Sequence, residues 1–555
     1  MVLYKKYQSI IESTIDAIRQ GIFFNHYPEL PHDQIYGEKH ISEGYEHFKE
    51  NINRKFQALR QAMPIKWAGN EESPFLQQSL NILYPIFPAE VLIDRAKAEL
   101  HKWRKVTPED RAGLLIESIK RIEDRFYEIA FASMHTTGMP YSMAYQMSGP
   151  HAAQRALNAV AIGISELKRF PENELEEFTG KEYGIQLDKK WIAVPKGISL
   201  IVGCSNFPIR DTMPGIYASL ITGNPVIVKP HMRSIMPVGI VISEIQKVFS
   251  ENGIDPNICQ IGIDEDDKEF TRFLAEHPDV SLIDFKGSPD FTDYLESIPD
   301  KTVFTEKSSI NTIILDSASD LDTVIRNLVI SLSLFSGQMN NTPQNIFIPS
   351  DGIKLTSGYI NYEDFIERLR EELSKLVYDQ VTAPHILGSI QNPETILRLE
   401  KLEKSDGKVI FGHVHYTIPE YQNARTASPL LMELSPEHRH LYLKDQFGPV
   451  GFIIKTKNSA HSIELAVDTA RKHGSLYCSA ITTNQEFKEL IIDYMTTTHT
   501  PVTFGMIGDI YLEKNTEYTD YRLTGGNTAS RASASNLEFV LQRFTWVGYK
   551  EPAEN

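Results

Sequence analysis

The fold is decided by the stretch ISLIVGCSNFP, residues 198–208, in which an apolar run ends in glycine and polar residues. Further short β-branched runs follow it, separated by amphipathic segments of helix length. These runs are Val226–Val228, Ile258–Ile263 and Val280–Phe285. Because short strands that alternate with helices are typical of βαβ units, the sequence predicts a parallel sheet.

A second block of the same kind begins at NTIILD, near Asn311. Its further strands are predicted at Asn345–Pro349, Val450–Ile454 and Tyr477–Thr482. We therefore predict an α/β fold with two such domains in sequence.

The flanking segments predict helices before the first sheet and a β arm beside it. The first hundred residues are expected to be largely helical, and from Pro108 to Phe131 the apolar positions fall on one helix face. The segment Phe178–Val194 alternates with a period of about two, which indicates a hairpin arm. Thr519–Lys550 is expected to supply a complementary strand.

The composition is that of an ordinary globular protein. A chain of 555 residues exceeds the size at which a single hydrophobic core stops growing, so two or three domains are expected. The formal net charge of −17 leaves no basic footprint for phosphates, and nucleic acid is not expected as a partner.

The cysteines, the N-terminal segment and the histidines indicate where the protein is located and whether it binds a metal. Cys204, Cys259 and Cys478 are too few and too scattered for a disulfide framework or a zinc site, so a reducing, cytoplasmic location is expected. The N-terminus mixes charges among its apolar residues, unlike a signal peptide, and no apolar stretch of about 18 residues predicts a membrane span. His413-Val414-His415 has no third ligand nearby, and no metal site is predicted.

Polar residues follow three strands of the first predicted domain. Asn206 lies directly after the strand that begins at Ile198, and Lys229 ends the strand in TGNPVIVKP. Gly287 and Ser288, in the motif FKGS, open a helix whose free N–H groups suit an anion such as pyrophosphate. Since ligands of open α/β sheets bind beyond the carboxyl ends of the strands, these residues are placed for ligand contact.

Three further motifs follow along the chain: TEK around Glu306, SGQMN at residues 336–340 and DQFGPV at residues 445–450. The SGQMN loop ends a strongly amphipathic helix, whose apolar face is formed by Leu321, Val324, Ile325, Leu328, Leu332 and Phe335. A glycine-serine pair or a glutamate beside a lysine occurs in many proteins and by itself indicates no function. The order and spacing of all the motifs together are more specific.

In that order and spacing the sequence resembles the aldehyde dehydrogenase superfamily, from about Trp191 to about Thr482. Within it, the chain is most similar to the PaaN-type branch of phenylacetic acid degradation. Three features carry this narrower resemblance: TEKSSIN around Glu306, SGQMNNTPQNIFIP around Asn340, and the helical extension before residue 100.

The resemblance implies a mechanism and a role for each matched position. In the family, a cysteine thiolate attacks the aldehyde, an asparagine amide stabilises the oxyanion, hydride passes to nicotinamide, and a glutamate base activates the water that releases the acid. Asn206 then matches the oxyanion donor and Glu306 the general base. The implied cofactor-binding residues are Lys229 at the adenosine ribose, Gly287 and Ser288 at the pyrophosphate, Asp445 at the nicotinamide ribose in place of a glutamate, and Phe447 beside the nicotinamide.

The position of the nucleophilic cysteine holds Asn340. A carboxamide nitrogen is delocalised into its carbonyl, and no change of pKa makes it a nucleophile as it does a thiol. We therefore expect no normal aldehyde oxidation by this chain. Two accounts stay open: an engineered cysteine-to-asparagine change that traps substrate or cofactor, and a natural pseudoenzyme. Cys204, two residues from Asn206, is expected to be a small buried residue rather than a substitute nucleophile.

Two smaller departures concern the cofactor. The family often has an acidic residue three positions after the ribose-binding lysine, where this chain has Met232, followed by Arg233. Loss of that carboxylate removes a group that repels a 2′-phosphate, so NADP is at least as well suited as NAD. The glycine that usually follows the glycine-serine pair is absent after Ser288, which predicts altered pyrophosphate binding.

The predicted architecture is aldehyde dehydrogenase-like. It consists of an N-terminal helical extension (1–100), an NAD(P)-binding domain (101–305) with the arm at about 178–195, a catalytic domain (306–510) and a C-terminal oligomerisation segment (511–555). The resemblance implies a homodimer or homotetramer and an aldehyde substrate, either a free semialdehyde or a CoA-linked one from ring cleavage. The alternative function is a scaffold that binds NAD(P) without catalysis.

Overall fold

The computed structural model describes residues 2–22, 24–28, 41–170, 174–179, 184–265, 267–356, 358–505, 527–530 and 537–552. Its helices are α1 (Val2–Gln20), α2 (Ile41–Asn51), α3 (Ala89–Trp103), α4 (Pro108–Glu123), α5 (Phe126–Thr137), α6 (Tyr141–Ser148), α7 (Pro150–Leu167), α8 (Met213–Ile221), α9 (Met236–Glu251), α10 (Asp267–Glu276), α11 (Pro289–Ser297), α12 (Leu321–Ser333), α13 (Tyr362–Tyr378), α14 (Thr382–Leu387), α15 (Glu394–Glu403), α16 (Arg439–Tyr442), α17 (Ser459–His473), α18 (Gln485–Thr496) and α19 (Leu537–Leu541). Short 3-10 helices lie at Pro256–Ile258 and Leu334–Gly337.

The strands are β1 (Lys66–Ala68), β2 (Glu72–Ser73), β3 (Gln78–Ser79), β4 (Tyr84–Ile86), β5 (Glu174–Thr179), β6 (Gly184–Pro195), β7 (Ile198–Val202), β8 (Val226–Lys229), β9 (Cys259–Ile261), β10 (Val280–Gly287), β11 (Thr302–Lys307), β12 (Asn311–Leu315), β13 (Ser317–Ala318), β14 (Pro343–Pro349), β15 (Ile353–Leu355), β16 (Gly358–Ile360), β17 (Lys408–Phe411), β18 (Leu430–Leu434), β19 (Val450–Thr456), β20 (Cys478–Ile481), β21 (Val502–Phe504) and β22 (Phe544–Pro552).

The first large sheet is parallel and has the strand order β11-β10-β7-β8-β9. Its central strands β7 and β8 are buried along almost their whole length, as their continuous apolar runs require of a sheet covered on both faces. The chain leaves β7 in one direction toward β8 and later returns to its other side with β10. This reversal of strand order creates a crevice at the carboxyl ends of β7 and β10, where open α/β sheets bind ligands.

The second large sheet has the order β17-β18-β19-β14-β12-β20-β21. All its pairings are parallel except that of β17 with β18. Separate hydrophobic cores cover its two faces. A further apolar cluster, which includes Phe207 and Phe335, lies where the two sheets' loops meet. The α/β fold with two sheets in sequence is therefore confirmed.

The β arm is a three-stranded antiparallel sheet of order β22-β6-β5. It begins at Glu174, before the predicted start at residue 178, and β22 pairs with β6 along Phe544–Pro552. The complementary strand predicted within residues 519–550 is thus confirmed at its end. Residues 511–526 of the predicted C-terminal segment lie outside the described part of the chain.

The N-terminal region departs from the predicted helices. Residues 52–88 are extended and carry β1–β4, because prolines such as Pro64, Pro74 and Pro85 disfavour helix interiors. The helix predicted from Pro108 to Phe131 is two helices, α4 and α5, with a break after Glu123. These helices pack in one core with a face of the first sheet, and α3 runs across the predicted boundary at residue 100.

The other predicted domain boundary, between residues 305 and 306, falls inside β11. That strand extends to Lys307 and belongs to the first sheet, and the second sheet starts with β12. Glu306 therefore sits at the very edge of the first domain. No helix within the described residues is long and apolar enough to cross a bilayer.

A buried ion pair ties the C-terminal segment to the first sheet. Arg543, with 0% of its surface exposed, donates from Nη1 and Nη2 to the two carboxylate oxygens of Asp284 at 3.0 and 2.7 Å. The rings of Phe304 and Phe539 lie 4.2 and 4.4 Å from its guanidinium carbon. The pair fixes the end of α19 and the start of β22 against β10.

Removal of this guanidinium leaves a buried carboxylate without its partner. We predict that Arg543→Ala lowers the free energy of unfolding by about 3–5 kcal/mol, the range found when one member of a buried ion pair is removed. Arg370→Ala is the control, because Arg370 pairs with Glu367 on the exposed side of α13, and it should leave stability almost unchanged. Urea unfolding followed by tryptophan fluorescence measures both. Equal losses for the two variants would contradict the prediction.

Candidate active site

The loops that carry the motifs meet at the carboxyl ends of the first sheet. The N–H of Gly203 donates to the main-chain oxygen of Lys229 at 2.8 Å, which joins the ends of β7 and β8. The N–H of Ser308 donates to the main-chain oxygen of Gly287 at 3.0 Å, which joins the ends of β10 and β11. The residues after the four strands therefore form one continuous rim.

The loop at residues 334–340 is held in a strained conformation. Phe335, Ser336 and Gly337 have φ of 52°, 47° and 62°, and the left-handed region costs a non-glycine residue about 1–2 kcal/mol. Phe335 is fully buried against Phe207, with ring centroids 5.9 Å apart, and the Ser336 hydroxyl lies 3.1 Å from two main-chain oxygens. A Cβ at Gly337 would lie 2.3 Å from the oxygen of Gly448, so only glycine fits there.

Asn311, the fully buried first residue of β12, fastens the end of this loop. Its Nδ2 lies 2.9 Å from the main-chain oxygen of Asn340 and 3.3 Å from that of Thr342. Its Oδ1 accepts from the N–H of Leu476 at 3.0 Å and from that of Tyr477 at 3.4 Å. One carboxamide thus fixes the loop tip to the start of two strands.

The three residues matched to the chemistry of catalysis come together. The Asn340 Nδ2 donates to Glu306 Oε1, so the amide at the nucleophile position is in direct contact with the carboxylate at the base position. The Asn206 Nδ2 donates at 2.9 Å to the main-chain oxygen of Gln338, two residues before Asn340. Glu306 is 5% exposed, so its carboxylate lies in a largely desolvated site.

Asp445 and Phe447 line a small cavity together with Asn340 and Ser308. Its volume is about 20 Å³, which has room for about one water molecule. The Asp445 Oδ1 accepts from the N–H of Phe447 at 3.0 Å, and burial raises the pKa of this carboxyl group. Arg398 donates to the main-chain oxygen of Phe447, which places a cation beside the same loop.

Three of the residues matched to cofactor binding lie at or directly after strand ends of the first sheet, namely Lys229, Gly287 and Ser288. Lys229 is buried at the end of β8, and burial lowers the pKa of its ammonium group to about 8, so it is cationic at neutral pH. Ser288 is the N-cap of α11 and makes no side-chain capping bond, so the N–H groups of the first turn suit an anion. A Cβ at Gly287 would lie 2.5 Å from the Phe285 ring, so a residue larger than glycine does not fit at this position.

None of the three cysteines of the sequence takes the place of the nucleophile. The Cys204 thiol donates to Asp211 Oδ2 at 3.3 Å, and burial followed by the Asp211 charge raises its pKa well above the usual value. Burial raises the pKa of Cys478 to about 12 and raises that of Cys259 as well. All three are therefore neutral thiols at neutral pH, whereas the reactive form is the thiolate.

A group of charges without a sequence-predicted role lies beside Glu306. Lys286 Nζ lies 3.0 Å from Asp211 Oδ1 and 3.5 Å from Glu306 Oε2. Arg210 Nη1 lies 3.1 Å from the same oxygen of Asp211. Burial opposes ionisation of Asp211, but Lys286 and Arg210 outweigh it and hold the pKa of that carboxyl group below its usual value. The motifs FKGS and NFPIRD contain these residues, but only the strand pairing shows that they meet.

We predict that Asn311→Ala loosens the loop and lowers the free energy of unfolding by roughly 2 kcal/mol or more. Two part-buried carbonyl groups and two buried N–H groups lose a partner, and each unsatisfied buried polar group costs about 1–3 kcal/mol before relaxation. Hydrogen exchange of residues 335–342 measures the local effect. Ser350→Ala, at a partly exposed turn of the same sheet, is the control, and equal exchange in both variants would contradict the clamp.

The chain matches known proteins in both sequence and structure. The model of the aldehyde dehydrogenase family matches residues 88–495. The 1-pyrroline-5-carboxylate dehydrogenase 1 of Halalkalibacterium halodurans is 25% identical over 398 residues, 69% of this chain and 71% of that protein. The structure of an NAD-dependent aldehyde dehydrogenase from Burkholderia multivorans covers 100% of both chains, with a TM-score of 0.96 and 31% identity.

A 1-pyrroline-5-carboxylate dehydrogenase variant from Thermus thermophilus has the same fold, with a TM-score of 0.74 at 18% identity over 96% of this chain and 99% of that one. The family match spans most of the chain, and the Burkholderia structure matches it end to end. This chain belongs to the aldehyde dehydrogenase family.

Proposed function

We propose that this chain binds NAD(P) and an aldehyde in an aldehyde dehydrogenase site that Asn340 has disabled for covalent catalysis. The contact between the Asn340 amide and the Glu306 carboxylate supports this most strongly. In this proposal an unreactive carboxamide stands where the family mechanism needs a thiolate, and it contacts the proposed base.

The roles of the residues follow from their contacts. Asn206 presents an amide N–H beside the 338–340 loop, suited to a developing oxyanion. Glu306 lies within hydrogen-bonding reach of residue 340, where a base can activate water against a thioester. NAD(P), when bound, supplies the hydride acceptor. Without a thiol at position 340 no thiohemiacetal forms, so Glu306 has no thioester to hydrolyse.

The proposed substrate is a semialdehyde. Support for a PaaN-type substrate, free or CoA-linked, comes from the motifs TEKSSIN and SGQMNNTPQNIFIP and from the region before residue 100. Several curated relatives are 1-pyrroline-5-carboxylate dehydrogenases by name, which argues for including 1-pyrroline-5-carboxylate in any substrate panel.

The arm is proposed to join chains in a homodimer or homotetramer. Ile192 on β6 and Val547 and Tyr549 on β22 are 51%, 50% and 43% exposed, an apolar strip that a second chain would cover. Such assembly is compatible with the second candidate function, an NAD(P)-binding scaffold. The two functions differ in whether a thiol at position 340 restores turnover.

We predict that Asn340→Cys raises NAD(P) reduction by roughly 10⁴-fold or more over the native chain, the scale by which loss of a nucleophile slows covalent enzymes. Absorbance at 340 nm with a panel of semialdehydes measures it. Glu306→Gln in the same background should abolish steady turnover, because a carboxamide cannot act as the base.

The control is Asn341→Cys, which puts a thiol one residue away from the position that contacts Glu306. It should stay inactive. Silence of the Asn340→Cys variant across the panel, with cofactor binding intact, would instead favour the scaffold function.

We also predict that the native chain binds NADP at least as tightly as NAD at pH 7, where Lys229 is protonated. Arg233 follows Met232 in the place of the usual carboxylate, and Arg233→Asp should weaken NADP binding by about 10–100-fold, the equivalent of one charge-assisted hydrogen bond. Calorimetric titration measures both dissociation constants. Arg272→Asp, exposed on α10, is the control, and a clear preference of the native chain for NAD would contradict the prediction.

A further inference from the structure

The charges beside Glu306 have a defined geometry. In the parallel pairing of β10 with β11, Lys286 lies directly opposite Glu306. Neighbouring strands are about 4.8 Å apart, so the two side chains leave the sheet side by side at its carboxyl edge. The Lys286 ammonium is 3.5 Å from Glu306 Oε2 and 3.0 Å from Asp211 Oδ1. It therefore bridges two carboxylates from different elements.

The two oxygens of Glu306 have different partners in this arrangement. Oε1 accepts from the Asn340 amide, and Oε2 faces the Lys286 ammonium. The Glu306 carboxylate therefore lies between β10 and the 336–340 loop. Lys286 is 25% exposed, whereas Glu306 and Asp211 are each 5% exposed, so the pairs lie mostly out of water, where charge interactions are stronger.

Asp211 is itself fixed from three sides. Arg210 and Lys286 reach its Oδ1, and the Cys204 thiol donates to its Oδ2. With two cations and two carboxylates in the group, the formal charges balance, which lowers the cost of burying them. A fixed Asp211 gives the long lysine side chain an anchor at its ammonium group.

We propose that Lys286 is a positioning residue that holds the Glu306 carboxylate against residue 340, with Asp211 as the anchor of its ammonium group. This inference rests on the proposed function in so far as Glu306 is taken as the base. It assigns a role to Lys286, whose ammonium group lies at the carboxyl end of β10 beside Glu306.

The direct test uses the native chain and needs no turnover. Crystal structures of Lys286→Met and Lys286→Gln should show Glu306 moved so that Oε1 is more than about 3.5 Å from Asn340 Nδ2, beyond hydrogen-bonding distance. Lys286→Arg should keep the contact. Lys307→Met is the matched control, since Lys307 is the next residue of β11 and its ammonium pairs with Asp293 and Glu296 instead. An unchanged Glu306 in both neutral variants would overturn the proposal.

A kinetic test uses the Asn340→Cys background. Lys286→Met should keep the initial burst of reduced cofactor and slow steady turnover by roughly 10–100-fold, the range in which a mispositioned base loses its contribution. Combined with Glu306→Gln, it should add no further loss, because both changes remove the same function. Additive losses, or turnover equal to that of the Lys307→Met control, would overturn the proposal. Silence of Asn340→Cys itself would count against the proposed function alone, and the crystal structures would still decide the role of Lys286.

Discussion

The hydrogen bond from the Asn340 amide to the Glu306 carboxylate is the contact on which the site depends. Glu306 is the penultimate residue of β11, the edge strand of the first sheet, and Asn340 lies in the loop before β14 of the second sheet. The bond therefore joins the two domains. The loop that carries Asn340 contains a strained turn at residues 335–337, and such strain persists only where the surrounding packing holds it.

The contacts around this bond hold the loops of the candidate site in place. Asn311 clamps the loop, Asn206 reaches the oxygen of Gln338, and Lys286 lies between Glu306 and Asp211. The groups in these contacts are buried or partly buried. Loss of one partner would therefore leave the other group without a hydrogen bond and destabilise the site. These contacts are compatible with both an engineered and a natural origin of Asn340.

Much of the fold could be predicted because β7, β8, β10 and β12 are buried strands, whose apolar runs stand out in the sequence. The meeting of Asn206, Glu306 and Asn340 followed from the order of motifs. The position of Lys286 could not be predicted, because it depends on the register between strands that an entire helix separates. The non-helical chain at residues 52–88 departs from the prediction that the first hundred residues are largely helical, and prolines such as Pro64, Pro74 and Pro85 account for the difference.

Covalent trapping is the most direct measurement of whether this site is a dehydrogenase site that lacks only its sulfur. The Asn340→Cys, Glu306→Gln double variant is incubated with NAD(P)⁺ and a semialdehyde, and its intact mass and peptide map are recorded. We expect one acyl group on the thiol at position 340, formed and then retained for want of a base, and none on the native chain. An unmodified double variant, or an acyl group on Cys204, would show that the site is not arranged as described.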